Sequence, residues 1–261
     1  MRNARLAILA GTALTIAGGS QSQAADWTGF YAGVNLGYSF GRTDASVAPF
    51  TLPPPYDPVV IPGETLRLKP RGAVGGVQFG YNWQAANLVF GLETDFQFSG
   101  QKNSRQSSRF FFDVPCNGTT NTCDAYTSTD ITAKLSWFGT IRGRIGQDFS
   151  GLFGYVTSGL AYGKVKISGI NTIALDELQD GTIDDVYQRP FSASKTRAGW
   201  TAGAGVEGQT RLSNWTWRLE YLFVDLGNVS FGDSTLTGAS NVTDHIVRFA
   251  LNYRFAAPPR P

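Results

Sequence analysis

Eight segments of this sequence alternate between large apolar residues and small or polar ones, and this pattern restricts what the chain can fold into. In "FYAGVNLGYSF" the apolar set runs from Phe30 to Phe40, and the alternate set runs from Tyr31 to Ser39. A period of two residues places the two sets on opposite faces of a β-strand. We therefore predict strands near residues 28–40, 72–83, 88–98, 131–146, 151–166, 196–208, 215–226 and 244–255.

Charged residues fall on only one of these two faces. Within the cores of the eight segments, the apolar set contains no Asp, Glu, Lys or Arg. A soluble barrel would carry its charges outside, whereas a charge facing the middle of a bilayer costs roughly 2–4 kcal/mol. The pattern predicts a membrane barrel with a network of charges in its lumen, formed by Glu93, Asp95, Arg142, Arg144, Glu207, Arg218, Glu220 and Arg248, with Arg254 on the same face.

The connections between the segments alternate in length. Short polar turns ("QAAN", "QDFS" and "QTRLSN") alternate with long stretches near residues 41–70, 99–129, 168–194 and 227–243. Outer-membrane barrels have this arrangement, with short periplasmic turns and long extracellular loops. We predict an all-β fold, an eight-stranded antiparallel up-and-down transmembrane β-barrel with four long extracellular loops.

The N-terminus has the layout of a secretory signal peptide. Arg2 and Arg5 precede an apolar run that is too short to span a membrane, and small residues follow it. We predict a signal peptide over residues 1–24, with cleavage after Ala24 or Ala25, and a barrel domain over residues 25–261. These two arginines account for the excess of 22 basic over 20 acidic residues, so the exported chain is neutral and a nucleic-acid partner is not expected.

The stretch "GAGVEG", residues 203–208, matches the glycine pattern of dinucleotide-binding loops. Such a loop must be followed by a helix whose N-terminus holds the pyrophosphate. Here the turn-rich "QTRLSNW" follows instead. We interpret the stretch as part of the sixth strand, with Gly203, Gly205 and Glu207 facing the lumen.

The chain resembles a known family. "DWTGFYAGVNLGYSFG", "LVFGLETDFQ", "GLAYG", "GWTAGAGVEG", "WRLEYLFVDLG" and "NYRF" are similar to segments of the small outer-membrane β-barrels of alphaproteobacteria, the opacity-like, immunogenic porin-family surface proteins. The resemblance covers the exported chain except its long loops. It implies location in the outer membrane and contact with outer-membrane lipid, lipopolysaccharide and the barrel-assembly machinery.

The resemblance also has an implication for the C-terminus. Such barrels usually end on an aromatic residue that the assembly machinery recognises. Here Phe255 is followed by "AAPPRP", residues 256–261. We predict that Tyr253 and Phe255 form the assembly signal of the last strand and that the tail is dispensable.

Few residues of the chain are suited to catalysis, ligand binding or disulfide formation. Cys116 and Cys123 are separated by six residues within one loop of an exported chain, and this spacing predicts a local disulfide. His245 is the sole histidine, and it adjoins Asp244. We expect no catalytic residues, metal site or cofactor. Members of the resembled family include haemin binders, and such a role would use His245, Tyr126 or the loop tyrosines Tyr56 and Tyr187.

We predict a monomeric outer-membrane protein with a structural and surface-antigen role in envelope integrity. Three alternatives remain open from the sequence. The first is a surface protein that binds haemin or contacts the host or environment. The second is an enzyme acting on outer-leaflet lipid, with His245 as general base. The third is a small pore.

Overall fold

The structure, a computed structural model, describes residues 26–52, 60–115, 122–212, 214–231 and 235–255. The predicted signal peptide and its cleavage site, Tyr56, Cys116 and the tail lie outside these ranges. The described strands are β1 (Gly29–Val47), β2 (Phe50–Thr51), β3 (Val60–Ile61), β4 (Glu64–Leu68), β5 (Arg71–Ala85), β6 (Leu88–Ser99), β7 (Lys102–Pro115), β8 (Thr122–Asp148), β9 (Leu152–Asp176), β10 (Asp185–Gln209), β11 (Trp215–Asp225) and β12 (Leu236–Arg254).

Eight of these strands form a closed antiparallel ring in the order β1, β5, β6, β8, β9, β10, β11 and β12. The last strand closes the ring on the first, with Phe249 opposite Leu36. Closure leaves no unpaired edge within the ring. The predicted eight-stranded up-and-down barrel is confirmed. The described residues include no helix long and apolar enough to cross a bilayer.

The predicted alternation is present around the ring. Large apolar side chains point outward and are exposed, among them Val34, Leu36, Val77, Leu92 and Phe249. The nucleotide-like stretch lies within β10, with Glu207 buried in the lumen and Val206 facing outward. The exposed set forms an apolar band whose two rims carry aromatic residues. One rim includes Phe30, Trp83, Trp215 and Tyr253, and the other includes Phe40, Phe98, Trp200, Phe223 and His245.

The two ends of the barrel differ. At one end, here called the turn end, β5–β6, β8–β9 and β10–β11 are joined by short turns. In the turn between β8 and β9, Ser150 and Gly151 both have positive φ, 57° and 93°. This is the conformation of a tight hairpin whose twist matches its strands. The other end, here called the extended end, carries the long connections.

The extended end is largely β-structure, although loops were predicted there from the sequence. β8, β9 and β10 are 27, 25 and 25 residues long, well beyond the predicted segments. β7 pairs with β8, and β4 pairs with β1, so the sheet also continues on this side of the barrel beyond the ends of β5 and β6. The predicted strands end where the outward residues cease to be apolar. The strands of the structure continue further, because hydrogen bonding between backbones does not require apolar side chains on the outer face.

Within the extended end, the inward side chains change from polar to apolar and the outward side chains change from apolar to polar. In β8 a register irregularity between Leu135 and Phe138 shifts which residues face inward. Below it Arg142 faces inward, whereas above it Ala133 and Leu135 are buried and Lys134 is exposed. Continuing the lower pattern would have placed Ala133 and Leu135 outside. A bulge inserts one unpaired residue and so reverses the faces. The extended end therefore has an apolar interior and a polar exterior.

Candidate functional site

The lumen at the level of the apolar band contains the eight charged residues singled out by the sequence. Glu93 and Asp95 lie on β6, and Arg142 and Arg144 lie on β8. β10 contributes one acid, β11 one base and one acid, and β12 one base. All eight are at most 4% exposed: Glu93, Asp95, Arg142, Arg144, Glu207, Arg218, Glu220 and Arg248.

Strand register places opposite charges beside each other. Three directly opposed cross-strand pairs join an acid to an arginine: Glu93 with Arg142, Glu207 with Arg218, and Glu220 with Arg248. Side chains directly opposite on neighbouring strands share a face and lie in reach of each other. These neighbour pairs follow from alternation and register alone.

Glu93 is the centre of the network. Its carboxylate pairs with Arg142 Nη2 and Arg218 Nη1. Arg248 Nη2 lies 3.6 Å from its Oε1, and Arg144 Nη1 lies 3.9 Å from its Oε2. One carboxylate therefore contacts all four guanidinium groups of the network.

The other three carboxylates complete the charge balance. Asp95 Oδ2 accepts from Arg142 at 3.0 Å and from Arg248 at 2.9 Å. Glu220 accepts from Arg142 Nη1 at 3.1 Å and from Arg248 Nε at 2.7 Å. Glu207 Oε2 accepts from Arg144 Nη1 at 3.0 Å and from Arg218 Nη2 at 2.9 Å. Four buried acids thus offset four buried bases, which desolvation requires of charges held away from water.

Neutral side chains from the same faces complete the hydrogen bonding, and they were not among the predicted site residues. Tyr31 Oη donates to Glu93 at 2.5 Å, and Tyr155 Oη donates to Glu220 at 2.7 Å. The Arg144 guanidinium lies 4.5 Å from the centre of the Tyr31 ring. Asn82, Thr216 and Asn252 also bind the network. Their positions on the lumen-facing side of the alternation were the signal in the sequence that could have identified them.

Apolar clusters lie below and above the network. At the turn end, Trp27 is 1% exposed and packs on Phe153, with ring centroids 5.4 Å apart, beside Val89 and Tyr155. Arg254, which the sequence placed on the lumen face, is half-buried here, and its guanidinium lies 5.3 Å from the Trp27 ring. Toward the extended end, the lumen is filled by a large apolar cluster that includes Leu68, Ile131, Leu135, Val165, Phe191 and Leu222. The described interior is therefore filled along its length.

His245 does not form a catalytic pair with its neighbour Asp244. The two side chains point to opposite faces of β12. Asp244 is buried in the lumen, where it accepts hydrogen bonds from Ser39 and Gln101. His245 is exposed on the aromatic rim, where its Nδ1 lies 2.7 Å from Tyr221 Oη. This geometry gives no support to a general base assisted by Asp244.

The remaining ligand candidates do not converge on one site. Tyr126 is exposed on β8, with its ring 4.2 Å from that of Phe110. β8 and β12 are opposite each other in the eight-membered ring, so Tyr126 and His245 lie on opposite walls. Tyr187 is half-buried against Phe50. Among the described residues, no group of three His, Cys, Asp or Glu side chains could hold a metal ion.

The predicted disulfide involves one described residue. Cys123 is fully buried at the extended end beside Ala125, Ile173 and Leu175. Its predicted partner, Cys116, lies outside the described ranges, so the disulfide remains a prediction. Tyr253 and Phe255 lie at the end of β12, with their rings 5.4 Å apart, and the backbone amide of Phe255 donates to the carbonyl of Phe30.

A closed eight-stranded barrel with an apolar outer band, aromatic rims and a charged interior defines the class of outer-membrane β-barrel proteins. The chain belongs to the family described as the outer membrane protein beta-barrel domain, whose model matches residues 9–255. It is an outer-membrane protein, and the resemblance found in the sequence is confirmed.

Curated relatives agree with this assignment. The chain is 38% identical over 234 residues to the 31 kDa outer-membrane immunogenic protein of Brucella melitensis biotype 1, covering 88% of this chain and 84% of the relative. It is 31% identical over 184 residues to the 22 kDa outer membrane protein of Rhizobium leguminosarum bv. viciae, covering 70% and 67%. Among solved structures it matches Ail, the attachment invasion locus protein of Yersinia pestis, at 15% identity and a TM-score of 0.35, covering 87% of this chain and 99% of that chain.

Proposed function

We propose that this protein is a closed structural barrel that contributes to envelope integrity and presents its extended end outside the cell as a rigid surface antigen. The observation that carries the proposal is the lumen charge network, in which one glutamate contacts four arginines that come from three strands. An eight-stranded barrel is only wide enough for its interior to be filled by side chains.

The orientation follows from the connections. Outer-membrane barrels place short turns in the periplasm and long connections outside. The turn end therefore faces the periplasm, and the extended end faces the environment. Its apolar interior and paired strands support a surface that keeps one shape, and the immunogenic proteins named among the relatives support an antigenic role.

A deletion strain tests the structural role. We expect the deletion to raise sensitivity to detergent with chelator and to large hydrophilic antibiotics, and the wild-type chain to restore resistance. His245→Ala should restore resistance fully, because this side chain lies outside the network. An unchanged envelope in the deletion strain, with the protein normally abundant in the parent, would contradict the structural role.

The ligand and enzyme alternatives are tested by the same variant. Haemin should bind wild type and His245→Ala with the same low affinity, because His245 and Tyr126 lie on opposite walls. The lipid A of the deletion strain should have the same mass as that of the parent. A haemin affinity that depends on His245, or a changed lipid A mass, would replace the structural role with one of these alternatives.

A further inference from the structure

A row of basic residues crosses four neighbouring strands at the start of the extended end. Arg71 on β5 is directly opposite Lys102 on β7. Lys102 is opposite Lys134 on β8, and Lys134 is opposite Lys166 on β9. Three steps between strands place about 14 Å between the first and last backbone positions. We call these four residues the basic row.

The basic row faces outward. All four side chains are exposed, whereas the flanking Ala133, Val165 and Ile167 are buried. Lys164 is also exposed and outward, and it lies two residues before Lys166 on β9, toward the apolar band.

The row borders the aromatic rim of the apolar band. Trp137 and Tyr162 precede Lys134 and Lys164 on the way from the band to the extended end, and their ring centroids are 6.2 Å apart. The Arg71 guanidinium lies 5.9 Å from the centre of the Phe40 ring. The basic row therefore lies at the height where lipid headgroups meet the barrel.

Within the part of the chain that the structure describes, none of the four residues forms an ion pair. On the same face of β8, the next acid is Asp130, four residues beyond Lys134 and about 13 Å along the strand. Like charges directly opposite on neighbouring strands destabilise a sheet. This repulsion acts between three successive pairs of residues, and an anion bound from outside would remove it.

We propose that the basic row binds the phosphate groups of an outer-leaflet glycolipid whose acyl chains lie on the apolar band beside Phe98, Trp137 and Tyr162. The assignment to the outer leaflet rests on the orientation given under the proposed function. Basic residues at a membrane surface each contribute about fivefold to binding of anionic lipid. A soluble polyanion would match the charges of the row but not the apolar surface beside them.

Lipid A binding to the full-length exported chain, folded in zwitterionic detergent micelles, tests the proposal. The probe is fluorescent diphosphoryl lipid A, with dephosphorylated lipid A, inorganic phosphate and dextran sulfate as competitors. We expect Lys134→Gln/Lys166→Gln to weaken binding roughly 30-fold. The control Lys195→Gln/Arg211→Gln removes the same charge and should leave the affinity unchanged. Lys195 is opposite the inward-facing Val165 and donates to the carbonyl of Ser230, so it is not part of the outward row, and Arg211 lies in a turn at the other end.

Thermal unfolding in micelles without and with lipid A separates binding from folding. Without lipid A, the unfolding temperature of Lys134→Gln/Lys166→Gln should equal or exceed that of wild type, because two of the like charges are removed. With lipid A, that temperature should rise much less for the variant than for wild type. Micelles have no inner and outer side, so the result does not depend on the proposed orientation or structural role. Equal binding of dephosphorylated lipid A, undiminished binding by the variant, or tighter binding of dextran sulfate than of lipid A would overturn the proposal.

Discussion

Glu93 on β6 and Arg218 on β11 form an ion pair across the full width of the barrel, because these strands occupy opposite positions in the ring of eight. Arg142 on β8 makes a second crossing to Glu220 on β11. Pairs between neighbouring strands line a wall and leave the centre open, whereas pairs between opposite walls occupy the centre. The network therefore closes the lumen.

Removing one partner of the network should cost more than its hydrogen bonds alone. We expect Arg218→Met to lower the free energy of unfolding by about 3–5 kcal/mol, because Glu93 and Glu207 would stay buried with less compensation. Arg67→Met is the matched control, since Arg67 pairs with Asp44 while 54% exposed, and it should cost about 1 kcal/mol or less. Urea unfolding in micelles measures both. Equal losses for the two variants would contradict the account of the network.

The extended end should behave as a packed core. Leu68 is fully buried in its apolar cluster, and we expect Leu68→Ala to cost about 2–5 kcal/mol. Val60→Ala at an exposed position should have little effect. Limited proteolysis should cleave Leu68→Ala faster than wild type within residues 60–115. Rapid cleavage of both chains there would show that this end is a set of flexible loops.

The end of β12 should control assembly. Phe255→Ala removes the aromatic contact with Tyr253, and we expect it to reduce the heat-modifiable folded form in outer-membrane fractions. Deleting residues 256–261 should leave that form at the wild-type level, because "AAPPRP" lacks a strand pattern. The opposite outcome, with loss on deletion and no effect of Phe255→Ala, would move the assembly signal into the tail.

Epitope labelling on intact cells tests the orientation. An epitope inserted at Gly181, between β9 and β10, should be detected, and one inserted at Ala86, between β5 and β6, should be detected only after permeabilisation. Both positions have positive φ in connections, so both insertions avoid the paired strands. Surface detection at Ala86 would reverse the orientation.

Sequence alternation was sufficient to predict the strands and the inward direction of Glu93 and Arg142. It could not predict the pairing of Glu93 with Arg218, because contact between opposite walls depends on how the ring closes. Nor could it predict that Trp27, which lies before the first strand, is buried against Phe153 at the turn end.

The reversed inward face of β8 in the extended end has a local cause. The irregularity between Leu135 and Phe138 changes which face of β8 is buried, and no turn residue marks it. Ala133 and Leu135 keep the sequence parity of the outward Ile141, so residues 131–135 were predicted as part of the fourth strand but with the opposite face inward. β9 and β10 pair with each other without a register shift, and their far ends were assigned to loops because the outward residues there become polar. Apolar residues that alternate with polar ones on the opposite parity were the signal in the sequence for these strand ends.

Conductance of the purified protein in planar bilayers tests the closed barrel most directly. The account predicts little or no steady current, because Glu93, Arg218 and Glu220 occupy the centre of the lumen. Insertion is verified independently by the heat-modifiable form of the same sample. Reproducible, long-lived channels of nanosiemens size from wild-type protein would contradict the closed lumen and the structural role built on it.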